Sequence, residues 1–202
     1  MISCSYLALG DSYTIGEQVL LSESFPYQTV QLLRSKTDRI HFTAPEIIAK
    51  TGWTTDELAK AISETTLLPK YDFVSLLIGV NNQYRGRPVE NYREEFVDLL
   101  QRSIQFAGGR PGRVFVISIP DWGQTPFAAQ RNIAVIAHEI DVFNACCKSV
   151  ADSLQCHYID ITTNQRCDSA KEDFIATDGL HPSGKEYAKW ANKLACEFSL
   201  HF

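Results

Sequence analysis

Two six-residue stretches constrain this chain more than anything else in it. Phe73-Val-Ser-Leu-Leu-Ile78 and Val114-Phe-Val-Ile-Ser-Ile119 are almost continuously apolar. A strand with one wet face alternates apolar and polar residues; a strand covered on both faces reads as an unbroken apolar run. Both stretches are therefore expected at the centre of a sheet with helices on each side. Tyr6–Leu9, Arg39–Thr43 and His157–Ile161 read as three further strands. Amphipathic segments separate them. Ser24 offers a cap for a helix reaching about Ser35, and Thr54 with Glu57 forms a capping-box pattern ahead of Leu58 and Ile62. Pro88 suits the first turn of a helix with Val89, Tyr92, Phe96, Leu99, Leu100 and Ile104 on one face. The longest helix is expected from about Ala128 to Ser153, and the last opens on a second Ser-x-x-Glu pattern, Ser183 and Glu186. Strands alternating with helices make βαβ units, hence an α/β fold with a five-stranded parallel sheet in a three-layer sandwich.

The 202 residues suit one domain spanning 1–202, and no repeat, low-complexity tract or long linker divides them. With 45% hydrophobic and 21% charged residues the chain reads as soluble and globular. Nineteen basic against twenty-four acidic residues give a formal charge of −5. That balance excludes the basic footprint of nucleic-acid or anionic-membrane binding. No basic region followed by a long apolar stretch opens the chain, and no run of about 18 apolar residues occurs, so a cytoplasmic protein without a membrane span is expected. Nothing marks an obligate protein partner. The six Cys residues, with Cys146 and Cys147 adjacent and no Cys-x-x-Cys spacing, are expected as mostly buried free thiols.

In an open parallel sheet, chemistry gathers at the carboxyl ends of the strands. Four segments lie there. Gly10-Asp11-Ser12-Tyr13 follows the first strand and presents a hydroxyl beside backbone N–H groups; a plain turn or helix cap explains it equally well. Lys50-Thr51-Gly52-Trp53 places a glycine where a backbone can approach a ligand or simply turn. Gly79-Val80-Asn81-Asn82-Gln83 ends a buried strand with amides, which are costly there unless hydrogen-bonded and which also favour turns. Asp178-Gly179-Leu180-His181 sets a carboxylate three residues before an imidazole, so the acid can orient one ring nitrogen and leave the other to take a proton from a serine. Together they supply a nucleophile, a base, an orienting acid and oxyanion donors at one sheet edge.

Gly10-Asp11-Ser12-Tyr13, Gly52, Gly79-Val80-Asn81 and Asp178-Gly-Leu-His181 resemble, in order and spacing, the four sequence blocks of the SGNH/GDSL hydrolases. The resemblance implies a flavodoxin-like α/β/α sandwich and an esterase without metal or organic cofactor. It makes Ser12 the nucleophile and an oxyanion N–H donor, with Gly52 as a second N–H donor and Asn81 as a side-chain donor. His181 becomes the general base and Asp178 its orienting acid. Asp11 is assigned a structural role, tethering the loop behind the nucleophile. One position departs from the pattern: where the third block usually reads Gly-x-Asn-Asp, this chain has Asn82.

Other readings fit less of the chain. An ordinary α/β-hydrolase needs Gly-x-Ser-x-Gly, and Gly10-Asp-Ser-Tyr-Thr14 breaks the last position. A receiver-like binding module leaves the Asp178–His181 pair unexplained. Acyl transfer to an alcohol, or ligand binding without turnover, uses the same residues. His138-Glu-Ile-Asp141 lies within a helix and reads as a solvated face rather than a metal site. Tyr13, Trp53, Tyr84, Trp122 and Phe127 fall near strand ends and are candidates for an acyl or sugar pocket, and Arg85 and Arg87 for contact with an anionic substrate. Without a long lid segment, short-chain acyl esters are expected, acetyl groups on small molecules or sugars among them.

Overall fold

The computed structural model describes residues 2–36 and 40–202. Five parallel strands form the main sheet: β2 (Tyr6–Asp11), β4 (Glu46–Lys50), β5 (Phe73–Leu77), β6 (Val114–Ile117) and β7 (His157–Ile159), in the order β4-β2-β5-β6-β7. Two further strands, β1 (Ile2–Cys4) and β3 (Ile40–Phe42), pair in parallel as a small separate sheet. The eight α-helices of the described residues are α1 (Ser12–Ile15), α2 (Phe25–Lys36), α3 (Thr55–Glu64), α4 (Val80–Tyr84), α5 (Val89–Phe106), α6 (Ile133–Ser153), α7 (Thr162–Asp168) and α8 (Gly184–Ser199).

Every residue of β5 and β6 is buried, as their apolar runs require. On one face, Phe198 of α8 stacks on Phe73 with ring centroids 4.3 Å apart and meets Tyr6 edge-on at 5.2 Å. On this face α2 packs against α8, where Phe25 approaches Trp190 at 6.2 Å. On the other face α3, α5 and α6 lie side by side, and Tyr92 of α5 packs on Phe143 of α6 at 4.8 Å. Phe198 thus interlocks α8 with the sheet, while the Phe25–Trp190 and Tyr92–Phe143 pairs join helices within one layer, and such buried aromatics contribute strongly to the core.

The expected strand at Arg39–Thr43 is displaced in role. Arg39 lies outside the described residues, and Ile40–Phe42 pairs with β1 rather than joining the main sheet. The second strand of that sheet is Glu46–Lys50, an edge strand that is half-buried along most of its length. The expected start of the longest helix also moves. Pro126–Ala128 forms a 3₁₀ turn, and α6 begins at Ile133 after Asn132, whose side chain accepts the Val135 N–H at 3.2 Å. Of the two capping boxes, Glu57 reaches back to the Thr54 N–H at 2.8 Å, whereas Glu186 is buried and accepts from Trp190 Nε1 at 3.0 Å. The Ser183 hydroxyl donates instead to Asp173 O, and that of Ser24 to Leu21 O. All six cysteines are free thiols, but Cys167 and Cys196 are exposed rather than buried.

The chain leaves β2 toward β4 on one side and returns to β5 on the other. This reversal of direction opens a crevice beyond the carboxyl ends of β2 and β5, the usual binding position in a doubly wound sheet.

Candidate active site

Ser12 is the first residue after β2 and the first of α1, a single turn of helix closed by Gly16 in the left-handed region (φ +75°). Asp11 caps it: Oδ1 accepts the Tyr13 N–H at 3.1 Å. The Asp11 carboxyl is fully buried and its Oδ2 meets no partner. Burial pushes its pKa up to about 7, more than the bonds from backbone N–H groups bring it down. Gly10 has no room for a side chain, because a Cβ would lie 2.1 Å from Thr14 Oγ1 and 2.4 Å from Leu77 O.

His181 comes from the loop before α8, 169 residues further along the chain. Its Nε2 lies 3.0 Å from Ser12 Oγ, and its Nδ1 lies 2.6 Å from Asp178 Oδ2. Asp178 Oδ1 also accepts the backbone N–H groups of Leu180 and His181, each at 3.0 Å. Burial raises the Asp178 pKa, but the imidazole and the two N–H groups outweigh it and hold the carboxyl below its usual range. An ionised Asp178 fixes the proton on Nδ1 and leaves Nε2 as an acceptor for the serine hydroxyl. The loop is braced by a bridge between Ile175 and Pro182 and by the Ala176 N–H to His181 O bond at 2.7 Å. Tyr13, buried, sets its ring 5.2 Å from the imidazole and so backs the base.

The two remaining segments close on the same spot. Gly52 sits in a turn with φ +83°, and Trp53 N–H donates to Lys50 O at 3.2 Å. This is the type II pattern, which favours glycine at the third position. Asn81 lies in the first turn of α4, and its Nδ2 donates to Trp53 O at 3.0 Å, so the amide spans the gap between the two segments. Gly79 precedes α4 at φ +132°, where a Cβ would strike the Tyr92 ring at 2.6 Å.

Asn82, the departure from the expected acid, is buried and satisfied at both ends. Its Oδ1 accepts Thr55 N–H at 3.1 Å and its Nδ2 donates to Thr55 Oγ1 at 2.7 Å. The Thr55 hydroxyl then donates to Glu95. Glu95 is thus the terminal acceptor of this chain of bonds, and an amide at position 82 supplies the donor that the threonine oxygen needs.

Ser12, Gly52, Asn81 and His181 border a cavity of about 190 Å³. Its apolar wall is built by Val80, Tyr84, Trp122, Phe127 and Leu180. Trp122 is buried and locked: its Nε1 donates to Gln83 Oε1 at 2.7 Å, and Gln83 Nε2 donates to Glu139 Oε2 at 2.7 Å. Tyr84 meets the Trp122 ring edge-on at 5.2 Å. Trp53, a candidate pocket residue by sequence, does not line the cavity; it packs against the core and contributes its carbonyl to Asn81. The two arginines are engaged elsewhere. Arg85 bonds Gly52 O and pairs with Glu57, and Arg87 pairs with Asp56 at 2.6 Å. Of the helical His138–Asp141 segment, Glu139 serves Gln83 and Asp141 pairs with Arg166 at 2.8 Å. The Gln83 relay and the contributions of Val80 and Leu180 were not recognised from sequence; the run of amides after β5 was the only signal of the first.

The model of the family described as GDSL-like Lipase/Acylhydrolase matches residues 8–189. No curated protein matches by sequence. Among solved structures, the chain is similar to a lipase/acylhydrolase from Enterococcus faecalis, with a TM-score of 0.75 and 19% identity over 100% of this chain and 97% of the other. A lipase from a goat rumen metagenome superposes with a TM-score of 0.78 at 19% identity, covering 98% and 97%. An acetylxylan esterase from Geobacillus stearothermophilus gives 0.73 at 17% identity, covering 96% and 94%. At these identities the likeness speaks for the fold, including its five-stranded parallel sheet flanked by helices.

Proposed function

The chain belongs to the GDSL-like lipase/acylhydrolase family, and from that premise we propose that it is a serine esterase working through an acyl-enzyme on Ser12. The observation that carries the proposal is the continuous line of bonds from Asp178 Oδ2 through the imidazole to Ser12 Oγ, at 2.6 Å and 3.0 Å, ending at the mouth of the cavity. A serine hydroxyl is a weak nucleophile at its own pKa; a base within hydrogen-bond reach, itself oriented by a third group, activates it.

His181 Nε2 takes the Ser12 proton as Oγ attacks the ester carbonyl carbon. Negative charge gathers on the carbonyl oxygen, and the N–H groups of Ser12 and Gly52 with Asn81 Nδ2 are the donors at hand for it. Such preorganised donors are worth roughly 10²–10³ in rate apiece. The imidazolium, held by Asp178, returns its proton to the departing alkoxide, and the alcohol leaves. Water enters and attacks the acyl carbon as Nε2 takes its proton; the imidazolium then returns that proton to Ser12 Oγ as the acyl–Oγ bond breaks, and the acid leaves with Ser12 restored. No step calls for a metal or an organic cofactor.

Substrate size follows from the cavity. Sites for drug-sized ligands occupy roughly 300–1,000 Å³, and this one holds about 190 Å³ behind an aromatic wall. Short acyl groups fit, and we assign the enzyme to short-chain esters of small alcohols or sugars, acetyl esters among them. The test is hydrolysis of p-nitrophenyl esters from acetate to palmitate, with Ser12→Ala alongside. Activity should be greatest on the shortest chains and fall by several orders of magnitude in the variant. Retained activity in Ser12→Ala would move the nucleophile elsewhere, and a preference for palmitate would overturn the short-chain assignment.

A further inference from the structure

The aromatic wall of the cavity has a second side. Tyr84 and Trp122, which border the cavity beside Ser12, also border a groove of about 410 Å³ that runs between α4 and the start of α6. Among the described residues, these two alone border both spaces. Val135 and Ile136 give the groove apolar side chains, and its Gln83 and Glu139 are bonded to each other. Arg131 and Asn132, both exposed, contribute polar ones.

The two shared rings are not equally fixed. Trp122 is 6% exposed and tied through Nε1 to Gln83, and through Gln83 to Glu139. Tyr84, the last residue of α4, is 49% exposed and meets the Trp122 ring edge-on at 5.2 Å. Removing the tyrosine ring therefore opens the divide without uncovering the core, whereas removing the indole would orphan the Gln83 amide oxygen.

Building on the serine-esterase reading, we propose that Tyr84 sets the acyl-length limit. Its ring separates the 190 Å³ cavity from the 410 Å³ groove, and an acyl chain that outgrows the first meets that ring before it can enter the second. Phe127 stands in the same wall but borders the cavity alone, so shortening it leads to no second space. The limit thus belongs to one side chain and not to the aromatic wall at large.

The test measures kcat/KM on p-nitrophenyl butyrate and octanoate for the unaltered protein, Tyr84→Ala, Tyr84→Phe and Phe127→Ala. Burying one methylene is worth about 0.8 kcal/mol, roughly fourfold in kcat/KM. Octanoate carries four more methylenes than butyrate, and about two of them shielded in an open groove give roughly 15-fold. The octanoate-to-butyrate ratio should rise by about that factor in Tyr84→Ala. Tyr84→Phe, which keeps the ring, and Phe127→Ala should stay close to the parent's ratio. An unchanged ratio in Tyr84→Ala, or an equal rise in Phe127→Ala or Tyr84→Phe, overturns the proposal. Calorimetric titration with sodium butyrate and sodium octanoate, each protein also carrying Ser12→Ala, reads the same spaces without turnover. If no ester is cleaved, or Ser12→Ala leaves the activity intact, the esterase reading fails and the titration decides Tyr84 alone. Octanoate gaining on butyrate by the same factor in Tyr84→Ala, and not in the other variants, upholds the role; an unchanged preference, or no binding of octanoate, ends it.

Discussion

Asp11→Asn should alter the way stability depends on pH, by an amount that the surroundings of Asp11 set. Its carboxyl has a pKa of about 7 in the folded protein, against the ordinary 3.8 of an aspartate in the unfolded chain. Between those values the folded protein holds a proton that the unfolded chain has released, so stability declines as pH rises and levels off above about 7. The difference of about 3 units, at 1.36 kcal/mol each, amounts to about 4 kcal/mol across the full range. About two of those units titrate between pH 5 and pH 7, or about 3 kcal/mol, equivalent to roughly 5–10 °C in Tm for a chain of this size. Asparagine does not titrate. Its Oδ1 can keep the Tyr13 N–H, and the cost of its buried, unpartnered amide is the same at every pH. The variant's Tm relative to the parent should therefore climb by that amount from pH 5 to pH 7 and then stay level. Asp178, whose pKa is lowered, adds stability that is fully present above pH 5 and lost only well below it, so it leaves the slope in this window untouched, and comparing the two proteins removes what the other titrating groups contribute. Thermal melts at half-unit intervals from pH 5 to pH 8 measure it. Parallel curves would show that Asp11 titrates alike in both states and would refute the argument from burial.

Three substitutions probe the site directly. Asp178→Asn should lower kcat on p-nitrophenyl acetate by about 10⁴, because an amide facing Nδ1 favours the wrong imidazole tautomer; Tm should fall modestly as the ionised carboxylate's contribution is lost, while Oδ1 can still accept the Leu180 and His181 N–H groups. A loss smaller than tenfold would remove Asp178 from the triad. Asn81→Ala should cost roughly 10²–10³ in kcat with little change in KM, and an effect on KM alone would reduce Asn81 to substrate positioning. Asn82→Asp at pH 8 should set two carboxylates competing for the one Thr55 hydroxyl proton and cost about 1–3 kcal/mol, read as a lower Tm that Glu95→Gln restores. No rescue by the second change would place the cost elsewhere.

What could be read from the sequence depended on whether a position's role belongs to its side chain. The central strands β5 and β6 announced themselves because burial on both faces leaves no polar residue to interrupt them. Glu46–Lys50 did not, since an edge strand opens on a charge, closes on another and is only half-buried. Ile40–Phe42 looked like its replacement because three apolar or aromatic residues satisfy a strand pattern without saying which sheet they join. The short helices α4 and α7 were invisible to a method that needs two or more turns of periodicity. Ser12, Asp178 and His181, which the structure brings into one line of hydrogen bonds, stood out in the sequence because few residue types combine in that way. Trp53 was ambiguous for the opposite reason, since an aromatic beside a strand end can line a pocket or pack on the core, and here it packs.

Beyond the Gln83 relay, several contacts that brace the site escape sequence reading for a common reason: their acceptors are main-chain carbonyls. Arg85 holds Gly52 O, Asn81 holds Trp53 O, and the Phe127 N–H donates to Gly179 O at 2.9 Å, tying the aromatic wall to the loop that carries His181. Tyr92 reaches across from α5 to donate to Ile78 O at 3.1 Å, just ahead of the Gly79 bend. No residue type marks a carbonyl, so the sequence displays the donors without their targets. These bonds nonetheless connect three of the four strand-end segments, all but the one that carries Ser12, to the helices or to one another. A donor helps a transition state only when it is already aimed, since any reorientation during the reaction takes back part of what it gives. The chemistry therefore rests on a few named side chains, and their aim on backbone groups for which sequence offers no alphabet.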